Sequence, residues 1–135
     1  MSFKSRIQQN ARAIAELHQR IHETYTHRND NEHSRAIWKV ACSEFHKRYD
    51  ELAFPGGTTG IRERLRSGDK QAIDYALDFL EVRPYFFRSG YMYKDFLRVL
   101  RNCPLSEAQR MRYDQLKARA RYDEYRKHRN AARID

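Results

Sequence analysis

Apolar residues recur at helical spacing across residues 68–106, and they define two neighbouring elements. The first begins after Asp69, a residue type that favours a helix N-terminus. It must end near Arg83, because Pro84 disfavours helical geometry in the residue before it. A second helical run follows after about six residues and ends before Asn102. Two helices joined by so short a connection predict an antiparallel αα-hairpin at the centre of the fold.

The turn of this hairpin carries three consecutive aromatic residues, Tyr85, Phe86 and Phe87. Aromatic side chains contribute most to burial in protein cores, so the turn is expected to plug the end of the hairpin against a neighbouring helix. This favours a core role for the two phenylalanines over a ligand-binding one. The predicted core of the hairpin is Leu77, Leu80, Phe86, Phe87, Phe96, Leu97 and Leu100.

Two further helices are predicted before this hairpin. The first runs from residue 3 to about residue 27 along a narrow apolar stripe. Asn29, Asp30 and Asn31 form a break with good cap residues, and Glu32 lies three residues after Asn29, the spacing of a capping box. The second helix follows and continues to about Leu52. The apolar face predicted for this second helix is Ile37, Val40, Ala41, Phe45, Tyr49 and Leu52.

A glycine-rich loop at residues 54–60 separates those helices from a short helix marked by Ile61 and Leu65. The loop lacks the GxxxxGK[ST] pattern of a phosphate-binding loop, so an interhelix connection is favoured. After the central hairpin, Ser106 and Gln109 form a capping box for a last helix that reaches about residue 130.

Length and composition fit one helical domain spanning residues 1–135. Valine occurs at only three positions and no run of residues alternates as a strand does, so the predicted class is all-α. The predicted architecture is a single-domain bundle of five or six helices around the central αα-hairpin.

Cys42 and Cys103 are the only cysteines, and two cysteines in a chain of this size do not make a disulfide framework. Cys42 lies on the predicted apolar face and is expected to be a buried free thiol. The first ten residues lack the apolar segment of a signal peptide, and no apolar run has the length of a membrane span. We therefore expect a cytoplasmic protein with no membrane partner.

Residues 76–116 carry an aromatic-Arg-Ser-Gly-Tyr turn between two helices. This segment is similar to helical segments of uncharacterised bacterial all-α proteins with HEAT-like helical hairpins. The resemblance covers about a third of the chain and implies a helical fold of bacterial type, with no activity attached.

Three sets of residues have spacings that chemistry sometimes uses. His18 and His22 are four residues apart on the first helix, as in some zinc sites, but the HExxH pattern is missing. Cys42 and His46 have the same spacing, but a catalytic thiolate requires exposure. The carboxylates of Asp74, Asp78 and Glu81 are expected to form a solvated stripe. We therefore expect no enzyme, no catalytic residue, no bound metal and no cofactor.

The chain has 27 basic against 18 acidic residues, a net charge of +9, and much of the excess lies in the last helix. Basic side chains there, with interleaved tyrosines, can contact phosphates and bases or attract an acidic protein. Arg83 and Arg88 flank the aromatic turn and either bond carbonyls at the helix end or face a partner. The predicted binding residues are Arg83, Arg88, Arg110, Lys117, Arg121 and Arg129.

The sequence thus predicts a non-enzymatic helical binding module. A protein-interaction or adaptor role with an acidic partner is the leading expectation, and nucleic-acid binding through the basic last helix is the alternative. Neither the partner nor the oligomeric state follows from the sequence.

Overall fold

Six α-helices make up the chain in a computed structural model that describes residues 2–54 and 56–134, with side chains through residue 129. They are α1 (Phe3–Tyr25), α2 (Glu32–Ala53), α3 (Ile61–Arg66), α4 (Lys70–Val82), α5 (Ser89–Leu100) and α6 (Glu107–Ile134). The described residues contain no strand, so the predicted all-α class is confirmed.

Helix starts follow local capping chemistry. Asp69 caps α4 by accepting a hydrogen bond of 3.1 Å from the Ala72 amide, as predicted. Ser106 and Gln109 make the predicted reciprocal capping box: each side chain accepts from the other residue's amide, at 3.2 and 3.0 Å. These bonds fix where α4 and α6 begin, and therefore which of their faces meet.

Of the cap residues predicted at positions 29–31, the structure uses Asn31 to begin α2. Asn31, and not Asn29, accepts the hydrogen bond from the Ser34 amide, at 2.8 Å. The Asn29 side chain accepts from Arg35 instead. Both asparagines suit a helix start, and the extended backbone of Asn31 decides between them.

α1 and α2 form a long hairpin whose predicted apolar face is only partly covered. Ala41 and Phe45 are buried, and Phe45 belongs to the main hydrophobic core. Ile37 and Val40 are exposed, Val40 by 54%, so the prediction that they lie in the core is wrong. This end of the hairpin extends past the other helices.

The central hairpin has the predicted form, with residues 83–88 connecting α4 to α5. Phe79 lies at its centre, fully buried, with its ring 5.2 Å from that of Phe96 and 6.3 Å from that of Phe86. Phe86 is buried as predicted, whereas Phe87 is 41% exposed and Leu97 is half-buried. Phe87 packs on the surface of the α1–α2 hairpin and contributes less to the core than predicted.

α6 crosses α4 and is attached mainly by its first half. Tyr113 and Leu116 are buried there, and the Tyr113 hydroxyl donates a 2.8 Å hydrogen bond to the Leu97 carbonyl of α5. Every described side chain from Arg126 to Arg129 is exposed. Residues 126–129 therefore lie beyond the contacts that hold α6 to the rest of the protein.

Both cysteines are free. Cys103 is buried, and its thiol donates a hydrogen bond to the Val99 carbonyl. Cys42 is predicted to be buried but is only half-buried. No described helix combines the length and apolar character needed to cross a membrane.

Candidate anion-binding surface

The predicted binding residues of α6 do not form one uniform face. Arg110 and Lys117 are half-buried, and Arg121 and Arg129 are exposed. Spacings of seven and four residues keep the first three on one side of the helix. Arg129 lies eight residues after Arg121, which turns it about 80° around the axis. We therefore keep Arg110, Lys117 and Arg121 as the α6 part of the surface.

Arg83 and Arg88 both take the left-handed backbone conformation that L-residues rarely adopt, with φ of 50° and 67°. The Arg83 side chain bonds Asp123 of α6 at 3.1 Å and lies 4.7 Å from the centre of the Tyr93 ring. Arg88 lies over Phe87. The Arg83 contacts join the α4–α5 turn to α6, so Arg83 is committed to holding the fold together.

The acidic stripe of α4 binds α6 and is not the solvated face that the sequence predicts. Arg112 pairs with Glu81 and with Asp78, at 2.8 Å from the latter, and lies 3.8 Å from Asp74. Gln109 also donates to Asp74, at 2.9 Å. Burial opposes ionisation of Glu81, but bonding to Arg112 outweighs it and lowers the pKa of the Glu81 carboxyl.

A second arginine of α6 is used internally as well. Arg119 donates to the Leu80 carbonyl of α4 at 3.1 Å. Carbonyls near a helix C-terminus have no partner within the helix, so a cation there satisfies one of them. The sequence suggests Arg83 or Arg88 for this role, and the structure assigns it to Arg119. Not every basic side chain in α6 is therefore available to a partner.

α5 carries a basic stripe that the sequence interpretation missed. Its exposed face presents Tyr91, Lys94 and Arg98, and Arg101 continues the line at the C-cap. Steps of three, four and three residues are helix-face spacing, so the pattern is visible in the sequence once α5 is placed. The larger total charge of α6 favours that helix as the binding surface when charge alone is counted.

A carboxylate joins this stripe to α3. Asp95 accepts from Arg62 Nε and Nη2 at 3.1 and 2.7 Å, and from Arg98 Nη2 at 2.8 Å. Its side chain is only 20% exposed, while Arg62 and Arg98 are 51% and 75% exposed. Asp95 therefore holds two guanidinium groups beside each other at the floor of an open cleft that Tyr91 and Lys94 also line.

Arginines of α3 and α6, and Arg101 at the C-cap of α5, lie near two buried groups. Burial raises the pKa of the Tyr113 phenol, while the charges of Arg101, Arg110 and Arg121 act to lower it. Burial likewise raises the pKa of the Cys103 thiol, against the charges of Arg66 and Arg110. Arg101, Arg110 and Arg121 therefore lie near the Tyr113 phenol, and Arg66 and Arg110 lie near the Cys103 thiol.

We call this surface the basic face. Eight basic residues form it, and acidic residues lie beside them, among them Glu63, Asp95, Asp114 and Glu124. Arg66, Arg101 and Arg121 make no ion pair with the residues that the structure describes. The members of the basic face are Arg62, Arg66, Lys94, Arg98, Arg101, Arg110, Lys117 and Arg121.

The histidine pair of α1 packs against aromatic rings. His18 lies 4.7 Å from His22, 5.5 Å from Phe45 and 5.0 Å from Phe87, measured between ring centres. Among the described residues, no three histidine, cysteine or carboxylate side chains converge as a metal site requires. The expectation that this chain binds no metal stays a prediction.

Acidification is expected to destabilise the protein through His18. Burial, and then the nearby His22, lowers the pKa of His18 below its ordinary 6.5. The folded state thus binds the proton less well than the unfolded chain, so stability is lost as the pH falls below 6.5 towards the folded value. Urea unfolding at a series of pH values should show that His18→Gln loses less unfolding free energy on acidification than the wild type does. His33 is exposed, so His33→Gln is the control and should lose as much as the wild type.

Exposed apolar residues also occur towards the end of the α1–α2 hairpin at which the two helices are connected. Tyr25, Ile37 and Val40 are exposed there, and Trp38 is half-buried against the Tyr25 ring. These residues lie on helices other than those of the basic face, so the chain presents two surfaces of different character.

Comparison of the chain with protein-family models, curated proteins and solved structures found no match. The resemblance of residues 76–116 to bacterial helical-hairpin proteins therefore stays a prediction. What the chain does must be inferred from its own surfaces.

Proposed function

We propose that this chain is a non-enzymatic helical binding module whose basic face binds the phosphate backbone of a nucleic acid. The observation that carries the proposal is that α3, α5 and α6 all present basic side chains, of which Arg62 of α3 and Arg98 of α5 share the carboxylate of Asp95. Arg66, Arg101, Arg110 and Arg121 lie near the buried Cys103 and Tyr113 that these helices pack around. Each cation placed against a phosphate releases condensed counterions, so several together give useful affinity without any deep pocket.

The composition of this surface favours nucleic acid over an acidic protein. The exposed residues of α3 and α5 include no aliphatic side chain. Protein interfaces usually have an apolar, charge-depleted centre, whereas nucleic-acid interfaces are polar and strongly positive. The proposal therefore places nucleic-acid binding first and the protein-interaction role second, which reverses the order that the sequence favours.

An adaptor role with an acidic protein partner is the second candidate. The exposed Tyr25, Ile37 and Val40 at the end of the α1–α2 hairpin favour it, because exposed apolar groups of this kind mark protein contacts. A pull-down from native lysate, with and without nuclease, separates the two. Partners that nuclease treatment removes support nucleic-acid binding, and partners that survive it support the adaptor role.

A charge-removal variant tests the nucleic-acid proposal directly. Replacing Arg66, Arg101 and Arg121 together by Gln is expected to weaken binding of DNA and RNA oligonucleotides, measured by fluorescence anisotropy across salt concentrations. The slope of log affinity against log salt should fall by about 0.7–0.9 for each phosphate that the variant no longer neutralises.

The matched control replaces Arg12, Lys39 and Lys47 by Gln. These exposed bases lie on the α1–α2 hairpin, so the net charge falls equally but the basic face is intact. The control should bind as the wild type does. Equal salt slopes for the two triple variants would show that only total charge matters and would contradict the proposed site.

The proposal includes a cytoplasmic location. Free Cys42 and Cys103 support it, because reduced thiols are typical of that compartment. Cell fractionation with an antibody to the chain checks this part separately.

A further inference from the structure

The cleft between α3 and α5 combines an exposed aromatic ring with fixed cations. Tyr91 is 77% exposed and makes no ring contact with another described aromatic residue. Lys94 and Arg98 follow it on the same face of α5, and Arg62 reaches in from α3. Seven residues separate Tyr91 from Arg98, a distance of about 10 Å along the helix. That length accommodates one nucleotide with its adjoining phosphates.

Asp95 leaves part of each guanidinium group available. It occupies Nε and Nη2 of Arg62 and Nη2 of Arg98. Nη1 of Arg62 and both Nη1 and Nε of Arg98 make no hydrogen bond to the described part of the chain. A planar guanidinium held by a carboxylate on one edge presents its other edge to a phosphate without first losing conformational freedom.

We propose that this cleft is a nucleotide subsite for single-stranded nucleic acid. In it, the Tyr91 ring stacks on one unpaired base, and Arg62, Lys94 and Arg98 bind the neighbouring phosphates. Asp95 is a positioning residue that keeps the two arginines beside each other. This inference rests on the proposed function and adds to it the class of nucleic acid.

Tyr91 is the residue of the cleft that would distinguish single strands from duplexes. A paired base presents only its edges in the grooves, and its faces are covered by the bases above and below it. An exposed ring can stack only on a base that is unpaired, and such stacking is tolerant of sequence because every base has a π-face. The basic face alone would accept either form.

The test measures binding of the full chain by fluorescence anisotropy to a single-stranded oligonucleotide of about 12 nucleotides and to the matching duplex. The wild type is expected to prefer the single strand. Tyr91→Ala should weaken single-strand binding by about 5- to 100-fold, leave duplex binding unchanged and remove the preference. Tyr91→Phe should retain most of the wild-type affinity.

Two controls isolate the stacking contribution. Tyr85 is even more exposed, at 94%, but lies in the α4–α5 turn outside the cleft, so Tyr85→Ala should bind as the wild type does. A single strand with abasic sites carries the same phosphates without bases, and the wild type and Tyr91→Ala should bind it equally. Circular dichroism should show unchanged folding, because Tyr91 packs against no buried ring among the described residues.

The possible outcomes separate this inference from the proposed function. Single-strand binding that is unchanged by Tyr91→Ala would overturn the nucleotide subsite and leave the basic face as a backbone-binding surface. No binding to either oligonucleotide would overturn the proposed function and this inference with it. A loss in Tyr85→Ala equal to that in Tyr91→Ala would show that the cleft is not the stacking site.

Discussion

Phe79→Ala is expected to lower the free energy of unfolding by about 3–5 kcal/mol, the usual cost of removing a fully buried aromatic ring. Phe79 is completely buried, and its ring meets those of Phe54, Phe86 and Phe96. Those neighbours come from the end of α2, the α4–α5 turn and α5, so they cannot all move inward to fill the cavity. Urea unfolding followed by circular dichroism measures the loss.

Phe87→Ala is the matched control for Phe79→Ala. Its ring is 41% exposed, so the expected cost is about 1 kcal/mol, in keeping with partial burial of the removed area. Equal losses for the two variants would contradict the assignment of Phe79 to the centre of the core. A protein of this size has a total stability of about 5–15 kcal/mol, so the unfolding transition of Phe79→Ala should remain measurable at low temperature.

The sequence predicts the helices well because their signals are local. Asp69, Ser106 and Gln109 mark helix starts through hydrogen bonds to amides within three residues. Pro84 marks an end through a contact with its own neighbour. Such signals require no knowledge of the remaining chain, and they place the starts of α4 and α6 and the end of α4 correctly.

Burial is predicted less well because it depends on relative length. α1 and α2 have 23 and 22 residues, whereas α4 has 13. At about 1.5 Å per residue the hairpin is roughly 13 Å longer than the helix it packs against. Ile37 and Val40 lie on the excess length and stay exposed, although their periodicity is that of a buried face.

The candidate site is predicted only in part, for a similar reason. Counting charge indicates a basic last helix, but it cannot show that Arg112 and Arg119 bond residues more than 30 positions earlier. Nor does it show that Asp95 brings α3 and α5 together. Periodicity within α5 could have indicated its stripe, but its contact with Arg62 required the fold.

Arg112→Ala is expected to lower the free energy of unfolding by about 2 kcal/mol. This lies between the small value of an exposed ion pair and the loss on breaking a buried one. Arg112 is the shared partner of Asp74, Asp78 and Glu81, and its removal leaves three carboxylates on successive turns of α4 to repel one another. Arg112→Lys keeps the charge but not the forked geometry, and should lose less. Arg126→Ala, an exposed base, should change stability by less than about 0.5 kcal/mol.

The ion pairs of Arg112 with the carboxylates of α4 should make the unfolding free energy depend on pH in a way that weaker packing alone would not. The lowered pKa of Glu81 means that its contribution is present above its unfolded value of 4.5 and is lost as the pH falls through the lower folded value. Without Arg112, the crowded carboxylates gain protons more readily in the folded state, and acidification relieves their repulsion. Unfolding free energies measured from neutral pH downward should therefore fall less steeply for Arg112→Ala than for the wild type. Parallel curves would mean that Arg112 holds α6 to α4 through its aliphatic stem, and that the carboxylates of α4 are solvated after all.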